Sequence, residues 1–416
     1  MQINIIKLSI FIIICTVLSC KPTTKIVQTS GMDMVKEDIV YLSSDELEGR
    51  ETGTKGEELA AIYISNRFKD MGLEGVFHGD NSYYQFFQKT KKSNPHATEP
   101  NPNDPVVKGR NVGAFKNNGS DHTIIIGAHY DHLGYGAEGS LHIGDPEIHN
   151  GADDNASGVA AMMALAEHFS DQKMKSNFLF MAFSGEEKGL WGSNFFVDNS
   201  PLELDDINYM INMDMVGRLN DERQLAIYGT GTSPVWHRTI TSVRAPVFKF
   251  SMKESGVGPS DHTSFYLEDI PVLHFFTGQH EDYHRPSDDH WKLNYDGLND
   301  IIRYISTIIV NLNDSGKLEF TKTKDESEQA PDFKVTLGVI PDYLYDGQGM
   351  RIDGVREGRP ADNAGMIKGD IVKKMGELEI VDMMSYMKAL GAFEKGQTIK
   401  AVIEREGEKK TVEVTF

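Results

Sequence analysis

Four short apolar runs constrain this chain more than any other feature of it. They are HTIIIGAHYDH from His122, NFLFMAFSGEE from Asn177, INYMINMDMVG from Ile207 and IPVLHFFTG from Ile270. Each is bounded by loop-forming residues, as buried strands are. The stretches between them include a helix pattern, GADDNASGVAAMMALAEHF, with Ala and Met at helical spacing in a core-facing role. Apolar runs alternating with helices imply a largely parallel sheet covered on both faces. Ligands of such sheets bind outside the carboxyl ends of the strands. Here the four ends, or the loops after them, carry His129 with Asp131, the pair Glu186–Glu187, Asp214, and the loop QHEDYHRPSDD. Adjacent acids at the end of a buried run are costly unless something positive holds them.

The composition narrows what that positive group is. The chain of 416 residues has two cysteines, Cys15 and Cys20, so no cysteine-based metal site or disulfide framework is available. Any metal must be held by His, Asp and Glu. Both cysteines lie in or beside LSIFIIICTVLS, an apolar stretch after Lys7 that is shorter than the ~20 residues a membrane span needs. Its end at Ser19-Cys20 resembles a bacterial lipoprotein signal, which implies a signal segment over 1–20, lipidation of Cys20 and a polar tether over 21–31. The expected location is a bacterial cell envelope, with the membrane reached through the lipid anchor. The net charge of −20 argues against nucleic acid as a partner, because phosphate binding needs a basic footprint.

From Met32 the pattern is helical, and EELAAIYISNRFKDMGLEG has apolar residues at helical spacing with a stop at Gly72. Residues 89–110, rich in Lys, Asn and Pro, read as an exposed loop. Residues 317–332 turn polar and charged and read as a linker between a domain over 32–316 and a smaller one over 333–416.

A divalent metal such as zinc takes imidazole and carboxylate ligands, and two ions about 3.5–4 Å apart need a shared carboxylate. The candidates are His129, one of Asp153 and Asp154, Glu187 or Glu186, Asp214 and His284, with Asp131 placed to orient an imidazole. His132, His142, His149 and His262 lie near these motifs as supporting groups. Asp153 fits a turn residue and Asp261 a loop-fixing acid.

The ordered set AHYDHLG, GADDNASG, SGEEKGLWGS, NMDMVG, SDHTSF and YHRPSDD resembles the M28 (aminopeptidase Y-like) metallopeptidase family, and LEGRETGTKGEELAAIYI near the start is similar to its opening segment. The resemblance covers about residues 35–312. It implies a zinc-exopeptidase fold, a mixed but mostly parallel sheet sandwiched by helices, that holds two zinc ions and acts on peptide substrates. By the same resemblance, His129, Asp154 and Asp214 hold one zinc; Asp154, Glu187 and His284 hold the other. Glu186 is then the general base and Tyr283 the donor to the oxyanion. The implied reaction is removal of N-terminal residues by a metal-bridged hydroxide. A single-zinc glutaminyl cyclase, which the family also contains, is the alternative on the same fold.

The segment from FKVTLGVIPDY to the C-terminus resembles a PDZ domain, most specifically in REGRPADNAGMIKGDIV. It implies a small β/α domain whose loop of Leu337, Gly338 and Val339 receives the carboxylate of a C-terminal peptide ligand. That leaves a second alternative, a peptide-binding scaffold in which this domain does the work.

Overall fold

The computed structural model describes residues 31–416, apart from 78, 80–82, 92–100, 102, 137, 138, 245, 324–334, 343, 344, 346 and 357. The expected signal segment with Cys20, the tether up to residue 30 and most of the expected linker lie outside the described residues. No helix among the described residues is long and apolar enough to cross a membrane.

The first domain contains strands β1 (Glu74–Gly75), β2 (Tyr84–Thr90), β3 (Val106–Lys116), β4 (Thr123–His129), β5 (Asn177–Phe183), β6 (Ile207–Met213), β7 (Gln224–Tyr228), β8 (Lys249–Met252) and β9 (Val272–Phe276). They form one sheet in the order β1-β3-β5-β4-β6-β9-β7-β8, with β2 paired to β3. The central strands β5, β4, β6 and β9 are parallel to their neighbours, while β3 joins β5, and β7 joins β9, antiparallel. The four apolar runs are these four central strands. Burial on both faces is why they are predominantly apolar: every residue of β4, β5, β6 and β9 is buried.

Side chains alternate between two cores, as strand geometry requires. Ile124, Ile126, Phe178 and Phe180 join the larger core, to which α1 (Met32–Leu42), α2 (Lys55–Asp70), α3 (Gly158–Ser170), α5 (Trp236–Ser242) and α7 (Tyr295–Asn311) contribute. Ile125, Leu179, Met181 and Phe183 join the other, with Phe196 of α4 (Trp191–Asp198) and Phe265 of α6 (His262–Tyr266). Helix α2 starts where the Thr54 side chain accepts from Glu57 N and stops before Gly72, whose φ of +71° suits glycine.

Two expectations need correction. Residues 89–110 are not all loop: β2 runs to Thr90 and β3 begins at Val106, paired from Thr90–Val106 to Tyr84–Val112. These margin strands are partly exposed, so polar residues interrupt their apolar pattern. The first residues of the expected linker are docked rather than free. Leu318 is buried and its N–H donates to Asn208 Oδ1 at 2.7 Å, and Thr321 N donates to Thr232 O at 2.8 Å.

The second domain has β10 (Val339–Pro341), β11 (Met350–Val355), β12 (Ile371–Met375), β13 (Leu378–Glu379), β14 (Thr398–Arg405) and β15 (Glu408–Thr415). They form an antiparallel sheet in the order β10-β11-β12-β14-β15, with β13 on β12. Helices α8 (Pro360–Asn363) and α9 (Met383–Gly391) complete it around its own core of Leu337, Ile352, Val372, Ala389 and Ile403.

Candidate metal centre

All five residues expected as ligands converge at the carboxyl ends of the central strands. His129 is the last residue of β4, and its Nε2 lies 3.4 Å from Asp154 Oδ1 and 3.4 Å from Asp214 Oδ1. His284 Nε2 lies 3.2 Å from Asp154 Oδ2 and 3.3 Å from Glu187 Oε2. Each imidazole therefore faces a different oxygen of the same carboxylate. Ligands about 2.0–2.1 Å from a tetrahedral ion sit about 3.3 Å from one another, so each of these imidazole–carboxylate spacings suits such an ion.

Supporting bonds aim the ligand atoms. The Nδ1 of His129 is 3.2 Å from the Asp131 carbonyl oxygen, and the Nδ1 of His284 is 2.9 Å from Gly139 O, so both Nε2 atoms turn to the carboxylates. Asp131 thus orients the imidazole mainly through its backbone, its carboxylate being 3.7 Å away. That carboxylate accepts instead from Thr52 Oγ1 at 2.9 Å and from Glu186 N at 3.1 Å, which fixes the turn after β5. Gly185 permits this turn with a φ of +79°; a Cβ there would lie 2.9 Å from the Trp191 Cβ. His284 itself has a φ of +54°, unusual outside glycine, and is held there by Leu141 N donating to its carbonyl at 2.9 Å.

Asp153 belongs to neither metal-capable group. Its Oδ1 accepts from Gly217 N at 2.7 Å and its Oδ2 lies 3.2 Å from His280 Nε2, a turn-holding role. The backbone N–H groups of Asp153 and Asp154 donate to Asp288 Oδ2 at 2.9 and 3.0 Å, tying the GADDN loop to the loop that carries His284.

The electrostatics show a demand for positive charge. Burial opposes protonation of His129, yet Asp214 and Glu186 hold its imidazole well above the usual histidine range. His284 is raised likewise, by Glu187 and Asp154 against burial. Burial pushes Glu187 up, but His284 and the hydrogen bonds from His132 and His284 hold it at about 2. Burial first, then Asp214, Glu187 and Asp261, push Glu186 well above the carboxylate range. Acids outnumber cations here, and divalent ions are the usual replacement for the protons that the imidazoles would otherwise keep. The two neighbouring glutamates differ in surroundings: Glu187 faces His284, whereas Glu186 belongs to neither ligand group.

Sequence reasoning undervalued several residues. His132 Nδ1 is 2.8 Å from Glu187 Oε1 and 3.9 Å from Asp154 Oδ2, close enough to form a metal-capable group with them. Its place in AHYDHLG was the only signal. Arg50 is fully buried beneath the site, a role that no local pattern announces. His142 and His149 stay beside the site: His142 Nε2 is 3.4 Å from Glu147, and His149 Nε2 is 2.8 Å from Ser140 Oγ. His262 stacks on His274 at 4.4 Å, and burial pushes it down to about 3, a neutral packed ring. Tyr283 stacks on His284 at 3.8 Å and lines the pocket over the ligands together with Met215, Tyr228, Pro259 and Phe276.

In the second domain, Leu337 is buried, the Gly338 N–H donates to Thr336 Oγ1 at 3.0 Å, and Val339 pairs with Val355. β10 is an edge strand among the described strands.

Residues 111–309 match the model of peptidase family M28, and residues 318–416 match that of the PDZ domain. The alkaline phosphatase isozyme conversion protein of Escherichia coli (strain K12) is 31% identical over 169 residues, 40% of this chain and 46% of that protein. Aminopeptidase YwaD of Bacillus subtilis (strain 168) is 29% identical over 175 residues, 40% of this chain and 35% of that protein. The matched region spans less than half the length of both. Among solved structures, the aminopeptidase from Aneurinibacillus sp. strain AM-1 superposes with a TM-score of 0.55 at 18% identity, covering 71% of this chain and 96% of that one. The Porphyromonas gingivalis glutaminyl cyclase superposes with a TM-score of 0.55 at 15% identity, covering 68% and 99%. These two share the fold. The chain therefore carries a region that matches peptidase family M28, followed by one that matches the PDZ domain.

Proposed function

We propose that the protein is a zinc-dependent aminopeptidase that binds two ions per chain and hydrolyses N-terminal residues from peptides. The observation that carries this reading is Asp154, whose two oxygens face His129 at 3.4 Å and His284 at 3.2 Å. One ion would rest on His129, Asp154 and Asp214, the other on Asp154, Glu187 and His284. Bound there, the ions would supply Lewis acidity and a water made nucleophilic near neutral pH.

The chain's own groups do the rest. Glu186 takes the proton of the attacking water and returns it to the leaving amine; burial raises its proton affinity and suits it to that exchange. Its position is fixed by the Asp131 carboxylate on its N–H. Tyr283 donates its phenol hydrogen to the scissile oxygen as negative charge develops. The apolar wall of Met215, Tyr228, Pro259 and Phe276 receives an apolar N-terminal side chain and excludes water from it. On this reading Leu337, Gly338 and Val339 remain the carboxylate loop of the PDZ domain, and Cys20 a lipid anchor at the cell envelope.

The shared fold with a glutaminyl cyclase makes single-zinc cyclisation the second reading. The donor group around His129 and Asp214 argues for a second ion, which that chemistry does not need. Profiling an N-terminal aminoacyl library with and without chelator, in wild type and Glu186→Gln, tests the proposal. Zinc-dependent release of apolar N-terminal residues, lost in the variant, supports it. Cyclisation of N-terminal Gln peptides without such release contradicts it, and unchanged hydrolysis in Glu186→Gln removes the assigned base.

A further inference from the structure

The second domain closes a polar cleft beside the candidate metal centre. The chain that leads into it is pinned to the first domain: Gly256 N donates to Thr323 Oγ1 at 3.2 Å, and Thr323 N donates to the Tyr266 hydroxyl at 3.1 Å. Further on, Lys253 Nζ donates to Tyr345 O at 3.4 Å, a bond made directly between the two domains. A cavity of about 350 Å³ lies between them, within the size range of ligand clefts. Arg218, Gln279 and His280 line it from the first domain, and Arg351, Asp353 and Lys368 from the second. Gln279 also lines the pocket over the proposed metal ligands, so the two spaces share a wall.

The cleft has the chemistry of a peptide main chain rather than of an ion. Each lining cation already has its acid: Arg218 with Asp282 at 2.9 Å, Arg351 Nε with Asp342 at 2.6 Å, Lys368 with Asp353 at 3.0 Å. Among the described residues, Glu281 is the one lining charge without an ion pair, and it is exposed. Walls neutralised pair by pair offer donors and acceptors but little net charge. Where the cleft meets the metal pocket, hydrogen-bonding capacity is unmet. Gln279 Oε1 is buried without a partner among the described residues, and so is His280 Nδ1, whose ring partner Nε2 is 3.2 Å from Asp153 Oδ2. A buried acceptor left unmet is unfavourable, and a main-chain N–H of a ligand would meet it. An extended chain brings one N–H and one C=O with every step of about 3.3 Å.

We propose that this cleft holds the part of a substrate peptide that lies behind the scissile bond, with the second domain as one wall and Gln279 receiving the chain from the metal pocket. The inference rests on the aminopeptidase reading for the direction in which the peptide runs. Two or three residues past the scissile bond carry an extended chain about 7–10 Å onward. The substrate class is then oligopeptides of about four residues or more, held by their main chain, in preference to dipeptides and small amides.

The test compares initial rates of leucine release from Leu-Ala and Leu-Ala-Ala-Ala, both as carboxamides so that neither ends in a carboxylate. The full zinc-loaded chain is used, and each variant is read as the ratio of its two kcat/KM values, in which the folded fraction cancels. In wild type the longer peptide should be favoured about tenfold, the net worth of one buried hydrogen bond. The Lys368 side chain is 65% exposed and tolerates replacement. Lys368→Trp fills the cleft and should bring the ratio to unity, and Gln279→Met deletes the unmet acceptor and should lower it. A wild-type ratio of unity, or a wild-type ratio that survives Lys368→Trp, overturns the proposal. Should Lys368→Trp fail to melt cooperatively, Gln279→Met decides, and an undiminished ratio overturns the proposal. Absence of leucine release from both peptides in wild type removes the aminopeptidase reading instead. Calorimetry with the carboxamide of Ala-Ala-Ala-Ala then reads the cleft directly: binding weakened about tenfold by Lys368→Trp supports it, and equal or absent binding overturns it.

Discussion

Arg50 gives the most quantitative handle on how the fold holds the site. Its guanidinium is fully buried and donates to Tyr130 O at 2.8 Å, Asn150 O at 2.7 Å, Gly151 O at 3.0 Å and also Leu42 O. Those carbonyls belong to α1, to the segment after His129 and to the approach to Asp154. One side chain thus ties together the two loops that carry the shared ligand and its neighbour. Burial pushes its pKa down to about 10, while Asp154, Asp131, Asp288 and Glu187 work to keep it charged. Hydrogen bonds to charged groups contribute about 1.5–3 kcal/mol each, so four of them set a ceiling of about 6–12 kcal/mol. Desolvation of the guanidinium offsets much of that, and removing one partner of a buried charged set costs about 3–5 kcal/mol in practice. Arg50→Met keeps the volume and deletes the donors. It should lower stability by about 3–5 kcal/mol in urea titration and weaken zinc binding by about 10–100-fold, as removal of a ligand's supporting partner does. An unfolding midpoint and zinc affinity both equal to wild type would refute this account of the two loops.

On the proposed reading, in which Glu186 moves protons and holds no ion, Glu186→Gln should lower kcat by about 10²–10⁴-fold with zinc content unchanged; loss of zinc would place it among the ligands instead. Asp261 is fully buried, and burial pushes it up to about 7 against His129 and the nearby Ser193 hydroxyl. A raised carboxyl pKa contributes stability below the unfolded value that is lost as pH rises through about 7. In chelated protein, Asp261→Asn should therefore gain up to about 3 kcal/mol on wild type between pH 5 and pH 8, read from urea midpoints; a pH-independent difference contradicts the assigned burial. Arg67 lies 2.8 Å from the buried Asp38, where burial raises the carboxyl despite the pair. Arg67→Met should cost about 3 kcal/mol or more by thermal unfolding, and adding Asp38→Asn should recover most of it; equal loss in single and double variants would show that the charge is not the cause.

The centre of the fold was legible because the strands buried on both faces cannot hide their composition. TIIIGAH and NFLFMAF are apolar without interruption, and the residues that end them have nowhere to point but the site. The margin strands were not legible for the opposite reason: β2 alternates buried and exposed positions, and KTKKSNPHATEPNPNDPVVKGR looks polar throughout. The proposed ligands could be singled out because each sits in a compact motif. Their supports could not, since Arg50 reaches carbonyls up to 101 residues away and Asp288 binds amides 134 and 135 residues away.

The central claim is that one shared carboxylate organises two ions for aminopeptide hydrolysis. Titrating zinc into the chelated chain while following turnover of a leucyl anilide tests it in a single measurement. The account expects no turnover without metal and a return that levels off at two equivalents per chain. A plateau at one equivalent, or no hydrolysis at any zinc concentration, would contradict it.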